Sequence, residues 1–142
     1  TDPGDIMMVG DHYYIGLSGR TNQAAADQIT AILEKHGMTA ETVPVTGILH
    51  LKDDVVYLDN NNLLVAKAYE NHPAFADFNK LVVDDDEYYA VNSLWINGKV
   101  IVPEGFPKTE QKIRDCGYEV ILINTSEFEK ITGSLTCMSL RF

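Results

Sequence analysis

Three hairpin-like turns recur along this chain at intervals of about 43 residues, and that recurrence limits its possible folds more than any other feature. Ile6 to Leu17 alternates around Gly10-Asp11-His12, Leu49 to Leu58 around Lys52-Asp53-Asp54, and Leu94 to Val102 around Asn97-Gly98. Asn-Gly is the strongest of these signals, because both residues tolerate the positive φ angles of a two-residue hairpin loop. A recurring supersecondary unit cannot bury its apolar face alone, so the copies must pack on one another.

Each hairpin is followed by a helix and a further strand. In the first unit, Thr21 or Asn22 can cap a helix with Ala25, Ile29, Ile32 and Leu33 on one face. His36-Gly37 ends that helix, and Thr42 to Val45 reads as a strand. In the second, Asn62 to Ala66 continues the strand region, Pro73 opens a short helix through Phe78, and Lys80 to Val83 forms a strand. In the third, Pro107 opens a helix through Asp115, Gly117 stops it, and Glu119 to Ile123 is a strand. The reading is an α/β chain of three ββαβ units, approximately 1–47, 48–91 and 92–142, within a single domain portion spanning 1–142. Three such units leave strand edges open at the first hairpin and the last strand. The opening Thr1-Asp2-Pro3-Gly4-Asp5 reads as the interior of a longer protein, so the expected partner is either a missing N-terminal half or further copies of the chain.

Charge and cysteine usage narrow the function. With 21 acidic and 11 basic residues the net charge is −10, which disfavours binding to phosphate backbones and hence to nucleic acid. Most acids fall in turn-like runs, Asp53-Asp54 and Asp84-Asp85-Asp86-Glu87, expected to be solvated. No apolar run approaches the ~20 residues of a membrane span. Cys116 and Cys137 form neither a disulfide framework nor a metal-ligand pattern, which fits a reducing, cytoplasmic setting.

The residues able to do chemistry are few. Cys137 lies in Leu135-Thr136-Cys137-Met138-Ser139-Leu140-Arg141-Phe142, which reads as a short strand-like segment. A thiol there fits either an inert core residue or a presented nucleophile. His50 sits in Ile48-Leu49-His50-Leu51-Lys52, where strand alternation sets it on one face with Ile48 and Lys52, opposite Leu49 and Leu51. Arg20 ends a strand and begins a helix cap, as a surface arginine or an anion-binding one. Asp2 and Asp5 flank Pro3-Gly4 in an Asx-type turn. His12, His36 and His72 read as solvated, and Cys116 as packed at a helix end.

Taken in order, Gly4-Asp5-Ile6-Met7-Met8-Val9-Gly10-Asp11, Ser18-Gly19-Arg20-Thr21-Asn22, Leu49-His50-Leu51-Lys52, Asn97-Gly98 and Gly133-Ser134-Leu135-Thr136-Cys137-Met138-Ser139-Leu140-Arg141 resemble the dimethylarginine dimethylaminohydrolases of the guanidino-group modifying superfamily. The resemblance runs over the whole chain. It implies a pentein, an α/β propeller of five ββαβ units about a pseudo-fivefold axis, of which these look like the last three. It further implies Cys137 as nucleophile, His50 as general acid/base and Asp2 as the acid orienting it. Arg20 would bind the substrate's α-carboxylate, and the backbone carbonyl near Ile131 would help hold the amino-acid head. The implied reaction converts a dimethylarginine to citrulline and dimethylamine through a covalent thiouronium, and it calls for neither cofactor nor metal.

Those residue types suit the chemistry. A guanidinium carbon is a poor electrophile, and a thiolate is the strongest nucleophile a protein offers near neutral pH. The chain departs from the family in having Pro3 where a glycine is usual and Asp rather than Glu at position 2. The family's guanidinium-gripping carboxylates belong to units not in this chain, so the isolated chain is expected to turn over little. Two alternatives stand beside this reading. Arginine deiminases usually carry Asp two residues after the histidine, where this chain has Lys52. A non-catalytic, self-associating fragment would also retain the strands.

Overall fold

The computed structural model describes residues 1–139, which divide between Asp53 and Asp54 into two compact units. The described residues contain three separate three-stranded sheets, each in sequence order, with the first pair of strands antiparallel and the second parallel. This is the repeated ββαβ topology that the hairpin spacing predicts.

In the first unit, β1 (Ile6–Val9) pairs with β2 (His12–Leu17), α1 (Gln23–Glu34) crosses over, and β3 (Thr39–Pro44) returns parallel to β2. Asn22 caps α1, its side chain accepting the Ala25 N–H at 2.9 Å. The helix buries Ala26, while Ile32 is exposed rather than aligned with Ala25, Ile29 and Leu33. β3 begins earlier than the sequence suggests, because Thr39 pairs with His12, whose Nδ1 lies 2.7 Å from the Thr39 hydroxyl.

The second unit opens with the end of α2 (Leu51–Asp54) and holds two sheets. One contains β4 (Val55–Tyr57), β5 (Asn62–Val65) and β6 (Asn79–Val82). The other contains β7 (Leu94–Ile96), β8 (Lys99–Pro103) and β9 (Glu119–Ile123), with α3 (Pro107–Asp115) as its crossover. The crossover of the middle sheet is a pair of 3-10 turns, Lys67–Tyr69 and Pro73–Phe75, in place of an α-helix. Val56, Leu58, Leu64, Leu81, Val100, Val102, Ile113 and Val120 belong to one buried cluster, so these two sheets share a core.

The middle hairpin corrects the sequence reading. Leu49 to Leu58 is not a hairpin about Lys52-Asp53-Asp54; that stretch is the helical turn α2, and the hairpin loop is Asp59-Asn60-Asn61, all three at positive φ. Asp and Asn tolerate that region better than other non-glycine residues. Strand alternation therefore fails at His50: Leu51 and His50 are both buried, whereas Leu49 is exposed.

The acidic runs are also not uniformly solvated. Asp54 is buried with Tyr88 Oη donating to it at 2.5 Å. Buried Glu87 accepts hydrogen bonds from the Lys108 and Thr109 amides, at 3.0 and 2.7 Å, and from the Thr109 hydroxyl at 2.8 Å. It thus caps α3 from outside the helix, which has no capping side chain of its own. No helix among the described residues is long and apolar enough to cross a membrane.

Candidate functional site

Asp2, Arg20 and His50 come together within the first unit. Asp2 precedes a 3-10 turn, Pro3–Asp5, and its Oδ1 accepts the Gly4 N–H at 3.0 Å. Pro3 occupies the first position of that turn, where a missing N–H costs nothing and a fixed φ is suitable. The proline that departs from the family pattern is therefore compatible with a well-placed acid.

Asp2 Oδ2 points to the other two side chains. It lies 3.0 Å from His50 Nε2 and 3.4 Å from an Arg20 terminal nitrogen. The Gly4 N–H is the largest influence holding the Asp2 carboxyl below the usual carboxylate range. Partial burial opposes it, while His50 and Arg20 add to it. The Arg20 side chain is more than half exposed.

His50 is held from below by its own turn. Its backbone N–H donates to Asp53 Oδ2 at 3.1 Å, and the Asp53 N–H donates back to the His50 carbonyl at 3.2 Å. This reciprocal bonding is half of a capping box and explains why the segment turns helical rather than continuing as a strand. The His50 side chain is only 7% exposed, and neither ring nitrogen has an aligned hydrogen-bond partner among the described residues.

Two residues to which the sequence reading gave no role in the site set this geometry. A Cβ on Gly4 would stand 2.6 Å from His50 Cγ, at the root of the ring rather than its flexible end. Gly4→Ala is expected to cost about 1–3 kcal/mol, as overpacking does, and to displace the His50 ring. A lowered urea midpoint together with shifted His50 ring resonances would check it. The second residue is Asp5, fully buried, which accepts from Ser18 Oγ and Thr21 Oγ1 at 2.7 Å each and from the Leu51 N–H at 3.0 Å. Thr21 Oγ1 also accepts the Asp2 N–H at 3.0 Å. Asp5 thus ties together the Asp2 turn, the Arg20 loop and the His50 turn.

Cys137 and Ile131 belong to the second unit. Residues 134–139 form turns rather than the strand-like segment expected, with the Met138 N–H donating to the Ser134 carbonyl; Leu140, Arg141 and Phe142 of that motif lie outside the described residues. Two side chains from the stretch just before β7 anchor this loop. Tyr89 Oη donates to the Gly133 carbonyl at 2.7 Å, and Asn92 Oδ1 accepts the Thr136 N–H at 2.9 Å. Cys137 is exposed, with its Sγ 3.2 Å from Ser134 Oγ. Cys116 is exposed as well, not packed as its sequence position suggests. Ile131 is 74% exposed, in a turn that follows α4 (Ser126–Glu129).

No protein-family model matches the chain. Among characterised proteins, the N(G),N(G)-dimethylarginine dimethylaminohydrolase of Pseudomonas aeruginosa is 51% identical over 141 residues, covering 99% of this chain and 56% of that protein. The Streptomyces coelicolor enzyme of the same name is 33% identical, over 99% of this chain and 54% of its own length. A crystal structure of the Pseudomonas aeruginosa enzyme, a cysteine-to-serine mutant complexed with citrulline, superposes on 98% of this chain and 55% of its own with a TM-score of 0.95. The N-terminal domain of a cyanobacterial arginine dihydrolase shares the fold at 19% identity, with a TM-score of 0.85 over 97% of this chain and 54% of that domain. The chain spans a little over half the length of the curated relatives it matches. Along nearly all of its own length, then, the chain is similar in sequence to dimethylarginine dimethylaminohydrolases, and it shares the fold of the corresponding part of one of them.

Proposed function

We propose that this chain is the nucleophile-bearing part of an enzyme that hydrolyses a dimethylarginine to citrulline and dimethylamine. The observation that carries the proposal is the buried His50 with Asp2 at 3.0 Å, in a chain 51% identical to an enzyme of that name.

Cys137, as the thiolate, attacks the guanidinium carbon and forms a C–S bond and a tetrahedral adduct. His50, in its protonated form, gives a proton to the dimethylamino nitrogen, and the C–N bond to that nitrogen breaks. The resulting S-alkylthiouronium is attacked by a water that His50 deprotonates. Collapse of the second adduct breaks the C–S bond, releasing citrulline and restoring the thiolate. Asp2 orients the imidazole and stabilises its charged form. Arg20, half in solvent, binds the substrate's α-carboxylate, and the backbone near Ile131 holds the amino-acid head.

Turnover requires the carboxylates that neutralise a buried guanidinium, supplied by the remainder of a longer protein or by another chain that carries the missing units. Ile121, Leu122 and Ile123 on β9 are exposed, which suits such an association. The exposed, unpaired thiols agree with a reducing cytoplasmic setting.

A chloroacetamidine-type reagent, an amidinium that alkylates thiols, tests the nucleophile. Cys137→Ser is expected to abolish labelling and Cys116→Ser to leave it intact, while a neutral iodoacetamide reaches both exposed thiols. Equal amidine labelling of the two cysteines would overturn the assignment.

A further inference from the structure

The buried imidazole of His50 has a carboxylate at each of its two nitrogens. Asp2 Oδ2 is 3.0 Å from Nε2, and Asp53 Oδ2 is 3.5 Å from Nδ1. Asp53 was read from the sequence as part of a solvated acidic turn, yet its side chain is only 23% exposed. We propose that Asp53 is a second positioning residue for His50, so that the ring is clamped between two acids rather than oriented by one.

The argument is one of donor and acceptor inventory. An ionised carboxylate only accepts, so two carboxylates are both satisfied only when both ring nitrogens carry protons. Neutral imidazole has one N–H to share between them. Asp2 is nearer, and its carboxyl is held in the ionised form by the Gly4 N–H. Asp2 therefore takes that proton on Nε2. In the neutral ring Nδ1 is then the bare nitrogen, with the Asp53 carboxylate beside it at the longer distance. The same Asp53 oxygen receives the His50 backbone N–H, so one atom holds the backbone and faces the ring.

A purely structural Asp53 would cap the α2 turn and leave the ring's proton where it is. The clamp makes a different prediction. Its catalytic meaning rests on the acid/base role proposed for His50, but the test reads the ring directly and needs no turnover. A failed clamp and a failed activity are therefore distinguishable.

The experiment is long-range 1H–15N correlation on the full chain at high pH, where the shifts of the two ring nitrogens identify the protonated one. The unsubstituted chain is expected to show His50 protonated on Nε2. Asp2→Ala is expected to move the proton to Nδ1, where Asp53 is the remaining charged acceptor. Adding Asp53→Asn, which keeps an acceptor for the His50 N–H but removes the charge, lowers that preference. Adding Asp53→Ser, which no longer reaches the ring, returns the proton to Nε2. Asp2→Ser retains an oxygen for the Gly4 N–H and replaces the alanine variant if that one does not fold. The proposal is overturned if the proton stays on Nε2 once Asp2 is removed, or stays on Nδ1 when position 53 is serine.

Discussion

Asp5→Ala is expected to destabilise the chain by about 2–4 kcal/mol, the cost of deleting an acceptor shared by three buried donors and leaving one of them, the Leu51 N–H, unsatisfied. Asp5 is fully buried and receives two hydroxyl donors and one amide donor. The Ser18 and Thr21 hydroxyls can rotate to seek other acceptors, but the Leu51 N–H cannot, and a buried unsatisfied donor costs about 1–3 kcal/mol. Asp5→Asn should cost roughly half as much as the alanine variant, since an Asn Oδ1 still accepts from Leu51 and its amide can donate to the hydroxyl oxygens. Urea unfolding of the three proteins, with slopes compared to confirm that one transition is being measured, gives the answer. In a thermal scan the alanine variant should melt on the order of 10 °C lower. A loss below about 1 kcal/mol would mean that the three segments meeting at Asp5 are held by something else.

The same residue shows where sequence reasoning succeeds and where it stops. Hairpin spacing, the Asn97-Gly98 turn and Pro107 with Gly117 are local signals, and local chemistry is enough to make them: β7, β8, α3 and β9 fall where those signals put them. Asp5 is different. In sequence it is one half of a turn with Asp2; in the fold its carboxylate serves Ser18, Thr21 and Leu51, partners that no local pattern pairs with it.

The middle hairpin failed for a related reason. Asp53 can begin a turn or reach back to cap one, and the His50 N–H settled it toward a helical turn. The run Asp59-Asn60-Asn61 carried the usable signal, since three consecutive Asx residues suit the positive φ values found there. Candidate site residues were legible through their motifs, but the elements that hold them were not. Gly4, Tyr89 and Asn92 act through a close approach and through hydrogen bonds to backbone far along the chain, which leave no periodicity to read.

Asp2→Asn is expected to lower kcat for dimethylarginine by about 10³–10⁴-fold in the full-length protein, with far less change in stability than at Asp5. The substitution is nearly isosteric. An Asn Oδ1 can keep the Gly4 N–H, which leaves its amide nitrogen facing His50 Nε2 and the Arg20 guanidinium, where the carboxylate oxygen now lies. A donor then meets the nitrogen that should carry the proton, and the imidazole is driven to the opposite tautomer. It also meets the Arg20 donor head-on, which loosens the side chain proposed to hold the substrate. Asp2→Glu keeps the acceptor and should recover much of the rate, which separates lost charge from lost shape. The pH dependence has a definite sign. Because the Asp2 carboxyl is lowered from 3.8, its stabilising contribution is fully present above that value and is lost as pH falls through the lowered folded value. Acid unfolding of Asp2→Asn should therefore begin from lower stability at neutral pH and converge with the parent at the acidic end. A kcat within tenfold of the parent, at unchanged KM, would remove Asp2 from the mechanism and leave His50 to be oriented by Asp53 alone.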